Sequence, residues 1–260
     1  MPPNIPIYVI TLPESKDRQQ AIQSQLSALN LPFTFFDAVD GRKTPDHPLF
    51  KKYNDKKRVW RRGKAAAMRP SQLGCFASHY LLWQQCVADG KPIIVLEDDA
   101  KLLEPFARFY ERMHEFAKHH DLMWLHSNSK RERMKGRVLE NIAGFKVVRF
   151  PKGYTIAVGY MLTPKGASTL LAHAQEWVYP VDIMMDRFFE HHLDCVSIEP
   201  FAVGHYEGFE SAINPVNAQP QRRTFAERVR REFYSLVDTL KRTAYNLRFV
   251  VGAWFKGIGR

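Results

Sequence analysis

The sequence predicts an α/β fold: a mainly parallel sheet flanked by helices, followed by a basic amphipathic helix at the C-terminal end. Three observations predict it. The chain opens as strand, helix, strand; a later apolar run, Ile93 to Leu96, ends abruptly in the carboxylates Glu97, Asp98 and Asp99; and residues 224 to 256 repeat apolar side chains at steps of three and four. A strand-helix-strand opening selects parallel pairing, because the crossover returns the chain in its original direction.

Ile5 to Leu12 is the first strand, and Pro13-Glu14-Ser15 leads to a helix of about Asp17 to Leu29, with Ser15 placed to cap it. Ala21, Ile22, Gln25, Leu26 and Leu29 share one face, and Asn30-Leu31-Pro32 stops the helix before a second strand at Phe33 to Val39. In such a unit the first strand-to-helix loop meets a nucleotide, which makes Thr11 and Arg18 candidates for phosphate or ribose contacts. There is no Gly-rich phosphate fingerprint. Residues of about 41 to 70 are rich in Gly, Pro, Lys and Arg, lack periodicity, and read as a long mobile surface loop. Pro70 to Val87 suits a mostly buried helix capped by Ser71, with Ser78 and His79 in its middle. A histidine so placed is either a hydrogen-bonded structural residue or a catalyst.

The apolar strand ending in Glu97-Asp98-Asp99 is the chemical centre of the chain. Adjacent carboxylates at a half-buried strand end are driven toward protonation unless a cation or donors hold them. A hard divalent cation, Mg²⁺ or Mn²⁺, is one solution, since water and substrate phosphates complete its shell. The other is a helix whose first turn carries acids that complement its dipole. Beyond it come an amphipathic helix at Leu103 to His119, a strand at Asp121 to His126, and a polar basic loop at Ser127 to Lys135. A pair of strands follows at Phe145 to Phe150 and Thr155 to Leu162, then a proline-opened helix from Pro164. Asp182, at a loop-to-helix junction, is a helix cap or a functional acid. Cys195 to Pro200 is a short strand, and His205 follows it.

Composition bounds the function. With 260 residues, 45% hydrophobic and 25% charged, the chain reads as a soluble globular protein of one large or two small domains. It divides as a catalytic body at 1–215 and a helical tail at 216–260. No apolar run approaches the ~20 residues of a membrane span, and Met1 to Arg18 lacks the pattern of a secretory leader, so cytoplasmic residence is expected. Cys75, Cys86 and Cys195 show no metal spacing and read as reduced core thiols. The net charge of +11 is concentrated: residues 221–260 hold ten Lys/Arg against three acids, and Lys51 to Arg69 nine against Asp55. Such surfaces seek phosphates. Nucleic acid is excluded as the partner, because no nucleic-acid motif accompanies the basic runs and the carboxylates sit in the sheet.

Four segments resemble glycosyltransferase family 25, the lipopolysaccharide-core galactosyltransferases and their collagen-modifying relatives. They are Val9-Ile-Thr-Leu12 with Arg18 downstream, Gln72-Leu-Gly-Cys-Phe-Ala-Ser-His-Tyr-Leu-Leu-Trp83, Ile94-Val-Leu-Glu-Asp-Asp-Ala100, and Gly159-Tyr-Met-Leu-Thr-Pro-Lys-Gly-Ala167 leading to Pro180-Val-Asp182. They keep the family's order across about residues 5 to 205, and Thr11 stands where the family usually has asparagine. The resemblance implies a GT-A type fold, Rossmann-like with a mixed, mainly parallel sheet, and an inverting, metal-dependent transfer. The donor it implies is a UDP-hexose, galactose from UDP-galactose before glucose. The acceptor is a sugar hydroxyl of a lipopolysaccharide or lipooligosaccharide core, and the product is a β-linkage. It assigns Mn²⁺ or Mg²⁺ to Asp99, Glu97 and His205, and donor contacts to Thr11, Leu12, Arg18, Ala38, Ser78, Glu97 and Asp98. Asp182, matching the family's Pro-Val-Asp, is the first choice of base, with Asp186 and His79 in reserve. The rival class is a sugar-nucleotide or phosphate-binding module without catalysis.

Thr224-Phe-Ala-Glu227 has the form of a capping box. From it Phe225, Val229, Phe233, Leu236, Val237, Leu240, Ala244, Leu247, Val250, Val251 and Trp254 trace one stripe, with Arg228, Arg230, Arg231, Lys241, Arg242 and Arg248 off it. A basic amphipathic helix of this kind suits an anionic membrane surface, here the cytoplasmic face of the inner membrane where a lipid-linked acceptor lies. A helix packed on the catalytic body, or pairing two subunits, is the alternative.

Overall fold

The computed structural model describes residues 5–126, 136–154, 156–206 and 224–255, with side chains of the last helix described as far as residue 252. Strand β1 (Ile7–Thr11) pairs in parallel with β2 (Thr34–Asp37) on one side and with β3 (Ile93–Glu97) on the other. Helix α1 (Lys16–Ala28) makes the first crossover and buries Ile22 and Leu26. Ser15 occupies its N-cap position without a side-chain hydrogen bond, so the expected cap does not form. Beyond β3 the sheet continues through β8 (Gly159–Leu162), β5 (Leu122–Trp124), β9 (Val196–Glu199), β7 (Phe145–Arg149) and β6 (Arg137–Ile142). The β3/β8, β8/β5, β9/β7 and β7/β6 pairings are antiparallel and β5/β9 is parallel. Six strands therefore share one direction, with β8 and β7 opposed, which is the mixed, mainly parallel sheet expected.

Both faces of the sheet are covered, so its central strands are apolar throughout. Ile93, Ile94, Val95 and Leu96 are all fully buried. Ile93 and Val95 face the core shared with α3 (Pro70–Asp89) and α5 (Pro164–His173), and Ile94 and Leu96 the core shared with α1 and α4 (Phe106–Phe116). After β3 the chain makes a tight turn at Asp98 and Asp99 and enters β4 (Ala100–Leu102), which pairs antiparallel with β10 (Val203–His205). No helix starts at the acids, so the helix-dipole explanation of them does not apply.

Four further expectations are corrected. The segment of about 41 to 70 is not a structureless loop: it holds 3-10 turns at Pro48–Lys52 and Lys64–Ala66 and helix α2 (Asp55–Arg62). Periodicity was absent because polar groups pin these short pieces. Asn54 Oδ1 caps α2 by accepting from the Lys57 N–H, Arg58 Nε donates to the Ala66 carbonyl, and the Trp177 N–H donates to the Lys52 carbonyl while the Trp177 carbonyl accepts from the Asn54 N–H. The cap position of α3 is Arg69, whose N–H donates to the Gln72 side chain, rather than Ser71. Strands β7 and β8 are not neighbours, and β4 and β6 lack a sequence signal. The loop expected at 127–135 lies outside the described residues. Helix α6 (Val181–Met185) has Pro180 at its N-cap, which places Asp182 in its first turn rather than at its cap. Helix α7 (Phe188–His191) follows, and α8 (Phe225–Phe255) lies against α2 and α7. Among the described residues no helix is long and apolar enough to cross a membrane.

Candidate active site

The C-terminal ends of β1 and β3, with the turn that follows β3, deliver side chains to one open cleft. Thr11, Leu12, Arg18, Ala38, Ser78, Glu97, Asp98 and Asp99 all line it. Its place outside the carboxyl ends of parallel strands is where open α/β sheets bind ligands.

The two aspartates of the turn have opposite surroundings. Asp98 is partnered at both oxygens: Thr11 Oγ1 donates to Oδ2 at 2.7 Å and the Arg18 guanidinium to Oδ1 at 2.9 Å. Asp99 is half-buried, with its Oδ1 atom buried and unpartnered among the described residues. Burial pushes its carboxyl up to about 6; Glu97 and Asp98 add to the rise, and His205 and Arg18 oppose it. The antiparallel pairing of β10 with β4 sets His205 opposite Ala100 and brings its Nε2 to 3.3 Å from Asp99 Oδ2. An orphaned buried carboxylate oxygen beside a second carboxylate and an imidazole fits a divalent cation, the charge that would make its burial tolerable. Glu97, Asp99 and His205 are the residues that could hold it.

Helix α3 forms the opposite wall. Its close approach to the chain leaving β2 needs glycine at position 74, where a Cβ would stand 2.1 Å from the Val39 carbonyl oxygen. Ser78 seals the same contact, donating to the Gly74 carbonyl and accepting from the Val39 N–H, so the structure gives its hydroxyl a positioning task at the cleft wall. His79 is fully buried, with Nε2 3.3 Å from Glu97 Oε1. Cys75, His79 and Glu97 each offer a ligand atom within 4.8 Å of the others. Cys75 is thus a cleft residue rather than a core thiol; burial raises it well above the usual thiol range. Asp182 is half-buried nearby; burial first, and Glu97 second among the raising effects, push its carboxyl up to about 6, while backbone N–H groups of α6 and the nearby His79 oppose the rise. Asp186 goes elsewhere: it packs on Gly153, where a Cβ would fall 1.2 Å from its Oδ1, and lies 3.8 Å from Arg242 of α8. Sequence reading missed Ser15, Asp40, Arg42, Ser71 and Cys75 as lining residues. Only Cys75, one turn before His79, had a spacing that could have flagged it.

Helix α8 is held to the body by its polar face. Asp238 bridges the guanidinium groups of Arg187 and Arg62 at 2.6 and 2.8 Å, Tyr245 donates to Asp194, and Arg149 Nη2 donates to Asn246 Oδ1. The expected capping box forms: the Thr224 N–H donates to Glu227 and the Glu227 N–H to Thr224 Oγ1. The opposite face is open, with Phe225 81%, Phe233 59%, Leu240 59% and Leu247 59% exposed.

The sequence pattern of glycosyltransferase family 25 (LPS biosynthesis protein) matches residues 4–185. The lipooligosaccharide biosynthesis protein lic2B of Haemophilus influenzae is 28% identical over 192 residues, 70% of each chain. A putative glycosyltransferase of H. influenzae strain Rd is 25% identical over 248 residues, 87% of this chain and 83% of its own. The inactive glycosyltransferase 25 family member 3 of Mus musculus is 28% identical over 199 residues, 72% of this chain but 32% of its own, so the chain spans about a third of that relative. The strand-end carboxylates, the glycine and Ser-His of α3 and the start of α6 all fall inside the matched span, and the chain belongs to glycosyltransferase family 25.

Proposed function

We propose that this protein is an inverting, metal-dependent glycosyltransferase that moves a hexose from a UDP-sugar, UDP-galactose first, onto a sugar hydroxyl of a lipopolysaccharide or lipooligosaccharide core acceptor, giving a β-linkage. The observation that carries the reading is the contrast at the turn: Asp98 partnered at both oxygens, Asp99 with a buried oxygen unpartnered among the described residues and with Glu97 and His205 nearby. Family membership alone does not carry activity, because relatives named inactive match this chain as well as lic2B does. A divalent cation held by Asp99, Glu97 and His205, Mn²⁺ or Mg²⁺, would supply counter-charge for the diphosphate leaving group. Asp98, fixed by Thr11 and Arg18, holds the turn in place and keeps Asp99 aimed into the cleft. Asp182, in the first turn of α6, takes the proton of the acceptor hydroxyl; its raised carboxyl is matched to a base working near neutrality.

The support for a membrane-surface partner is the way α8 is mounted. It packs on the body, yet by its polar face, leaving the stripe from Phe225 to Val251 outward, with the exposed cations Arg228, Lys241 and Arg248 beside it. Exposed Trp60 of α2, stacked under Arg230 at 4.0 Å, extends the same surface. That surface suits an anionic bilayer carrying a lipid-linked acceptor, at the cytoplasmic face of the inner membrane. A screen of UDP-sugars for Mn²⁺-dependent hydrolysis tests the central reading. Turnover of UDP-galactose that stops with a chelator is expected. Metal-dependent binding of UDP-galactose without turnover of any UDP-sugar would replace the enzyme by a binding module.

A further inference from the structure

At the back of the cleft four side chains from three elements form one line of hydrogen bonds. Trp83 Nε1 donates to Tyr160 Oη at 3.0 Å, Tyr160 Oη lies 2.9 Å from His79 Nδ1, and His79 Nε2 lies 3.3 Å from Glu97 Oε1. His79 and Trp83 are one turn apart on α3, and Tyr160 stands on β8 opposite Val95 of β3, two residues before Glu97. Trp83, Tyr160 and His79 are all 0% exposed, so their polar atoms must satisfy one another.

Counting hydrogens fixes the direction of the line. An indole N–H can only donate, so Tyr160 Oη accepts from Trp83. The tyrosine owns a single hydrogen, and among the described residues the atom left to receive it is His79 Nδ1. Were Nδ1 itself protonated, it would donate to the same oxygen and strand the tyrosine hydrogen in a buried place without an acceptor. The ring proton therefore sits on Nε2, and Nε2 faces Glu97.

We propose that Trp83 and Tyr160 lock His79 as the Nε2–H tautomer, and that His79 is a positioning residue which holds the Glu97 carboxylate by a donated hydrogen bond. The inference rests on the reading of Glu97 as a carboxylate of the donor and metal site. Its consequence is that the one lone pair of His79 points at Tyr160, away from the cleft. His79 cannot then accept a proton from a bound sugar, and the base assignment falls to Asp182. Holding one ligand by a second ring of hydrogen bonds is how metal sites orient their carboxylates. Here the ring starts from an indole in the core.

Long-range proton–nitrogen correlation spectra of the full-length, ¹⁵N-labelled protein read the tautomer directly, with His79 assigned by its loss in His79→Gln. An Nε2-protonated, Nδ1-bare ring is expected; an Nδ1–H ring or a doubly protonated one overturns the proposal, whatever the activity. The functional arm compares two variants. Glutamine keeps an N–H at the reach of Nε2, so His79→Gln should hold the KM for Mn²⁺ and UDP-galactose within about threefold, whereas His79→Leu should raise both about tenfold, the usual scale for losing an outer hydrogen bond to a metal ligand. Both variants losing kcat alike with KM unchanged would make His79 the base and end the proposal. If His79→Leu does not fold, the wild-type spectrum still decides. If the wild type hydrolyses no UDP-sugar, the glycosyltransferase reading fails while the tautomer is still decided by the spectrum.

Discussion

The cleft and helix α8 break opposite rules of protein burial. At half-buried Asp99 one carboxylate oxygen is buried and unpartnered among the described residues; along α8 a row of large apolar side chains is left outside. A folded chain tolerates neither arrangement without a reason, because a lone buried charge costs several kcal/mol and a long exposed apolar stripe invites association. Each is half of an interaction. On the proposed reading the other half is a cation at the cleft and an apolar medium at α8, which are of opposite chemistry. What the comparison teaches is that the two regions can be disabled independently: the cleft by removing charge, the stripe by adding polarity.

The strongest break is Asp99→Asn. It keeps the volume and removes the charge, so UDP-sugar hydrolysis should fall by about 10³, the scale of losing a principal electrostatic contact to the transition state. The metal-free variant should melt no lower than the parent, since an amide has no charge to desolvate. Turnover above about a tenth of wild type, a barrier change under ~1.4 kcal/mol, would show that Asp99 holds no essential metal.

Next is Asp182→Asn, for which we expect kcat about 10² lower with the KM for donor little changed, the ordinary worth of a general base. The acid form of Asp182 cannot accept a proton, so with its carboxyl pushed up to about 6 the wild-type kcat should fall as pH drops through that region. A bound cation nearby moves this limb lower, never higher. The limb should vanish in the variant; a limb that stays in the variant points to another base.

Much of this was legible in the sequence, and the failures have one cause. The opening βαβ unit, the buried β3 and the turn acids could be read because apolar period and charge are local signals. His205 beside Asp99 came from resemblance, and β10 pairing with β4 is what makes it physically so. The ordered 41–70 segment, tied to Glu176 and Trp177, and the Trp83–Tyr160–His79 line depend on partners far along the chain. A side-chain hydrogen bond across 81 residues leaves no periodic trace. The outward stripe of α8 was visible, but not that Asp238, Tyr245 and Asn246 anchor its other face. Deleting residues 221–260 would therefore disturb the body, since Asp238 is one of the two carboxylates, with Glu190, that hold the buried Arg187.

Substituting the stripe in place is the cleaner break of the outer half. Leu236, Leu240 and Leu247 together changed to Ser should lower binding to anionic vesicles at low salt at least about tenfold, since each leucine removed from a lipid boundary is worth roughly 1.5–3 kcal/mol when fully inserted. Hydrolysis in solution should be unchanged. Undiminished vesicle binding, or an intact protein that ignores such vesicles, would assign the stripe to a second subunit or another partner.

The smallest effect is expected where the cleft obeys the burial rule. Asp98 is a buried charge, yet Thr11 and Arg18 satisfy both of its oxygens, so it needs no cation. Thr11→Val keeps shape and removes only the hydroxyl donor, leaving the Arg18 pair. A hydrogen bond to a charged group contributes about 1.5–3 kcal/mol, so the variant should melt a few degrees lower. Turnover should drop less than about fivefold, under ~1 kcal/mol of barrier, because the metal side of the turn still has Glu97, Asp99 and His205. Losing stability with little activity is the signature of a positioning contact. A Thr11→Val protein that keeps its melting temperature but loses turnover as Asp99→Asn does would move Thr11 and Asp98 into direct contact with the donor, and the division between the partnered and unpartnered aspartate would go with it.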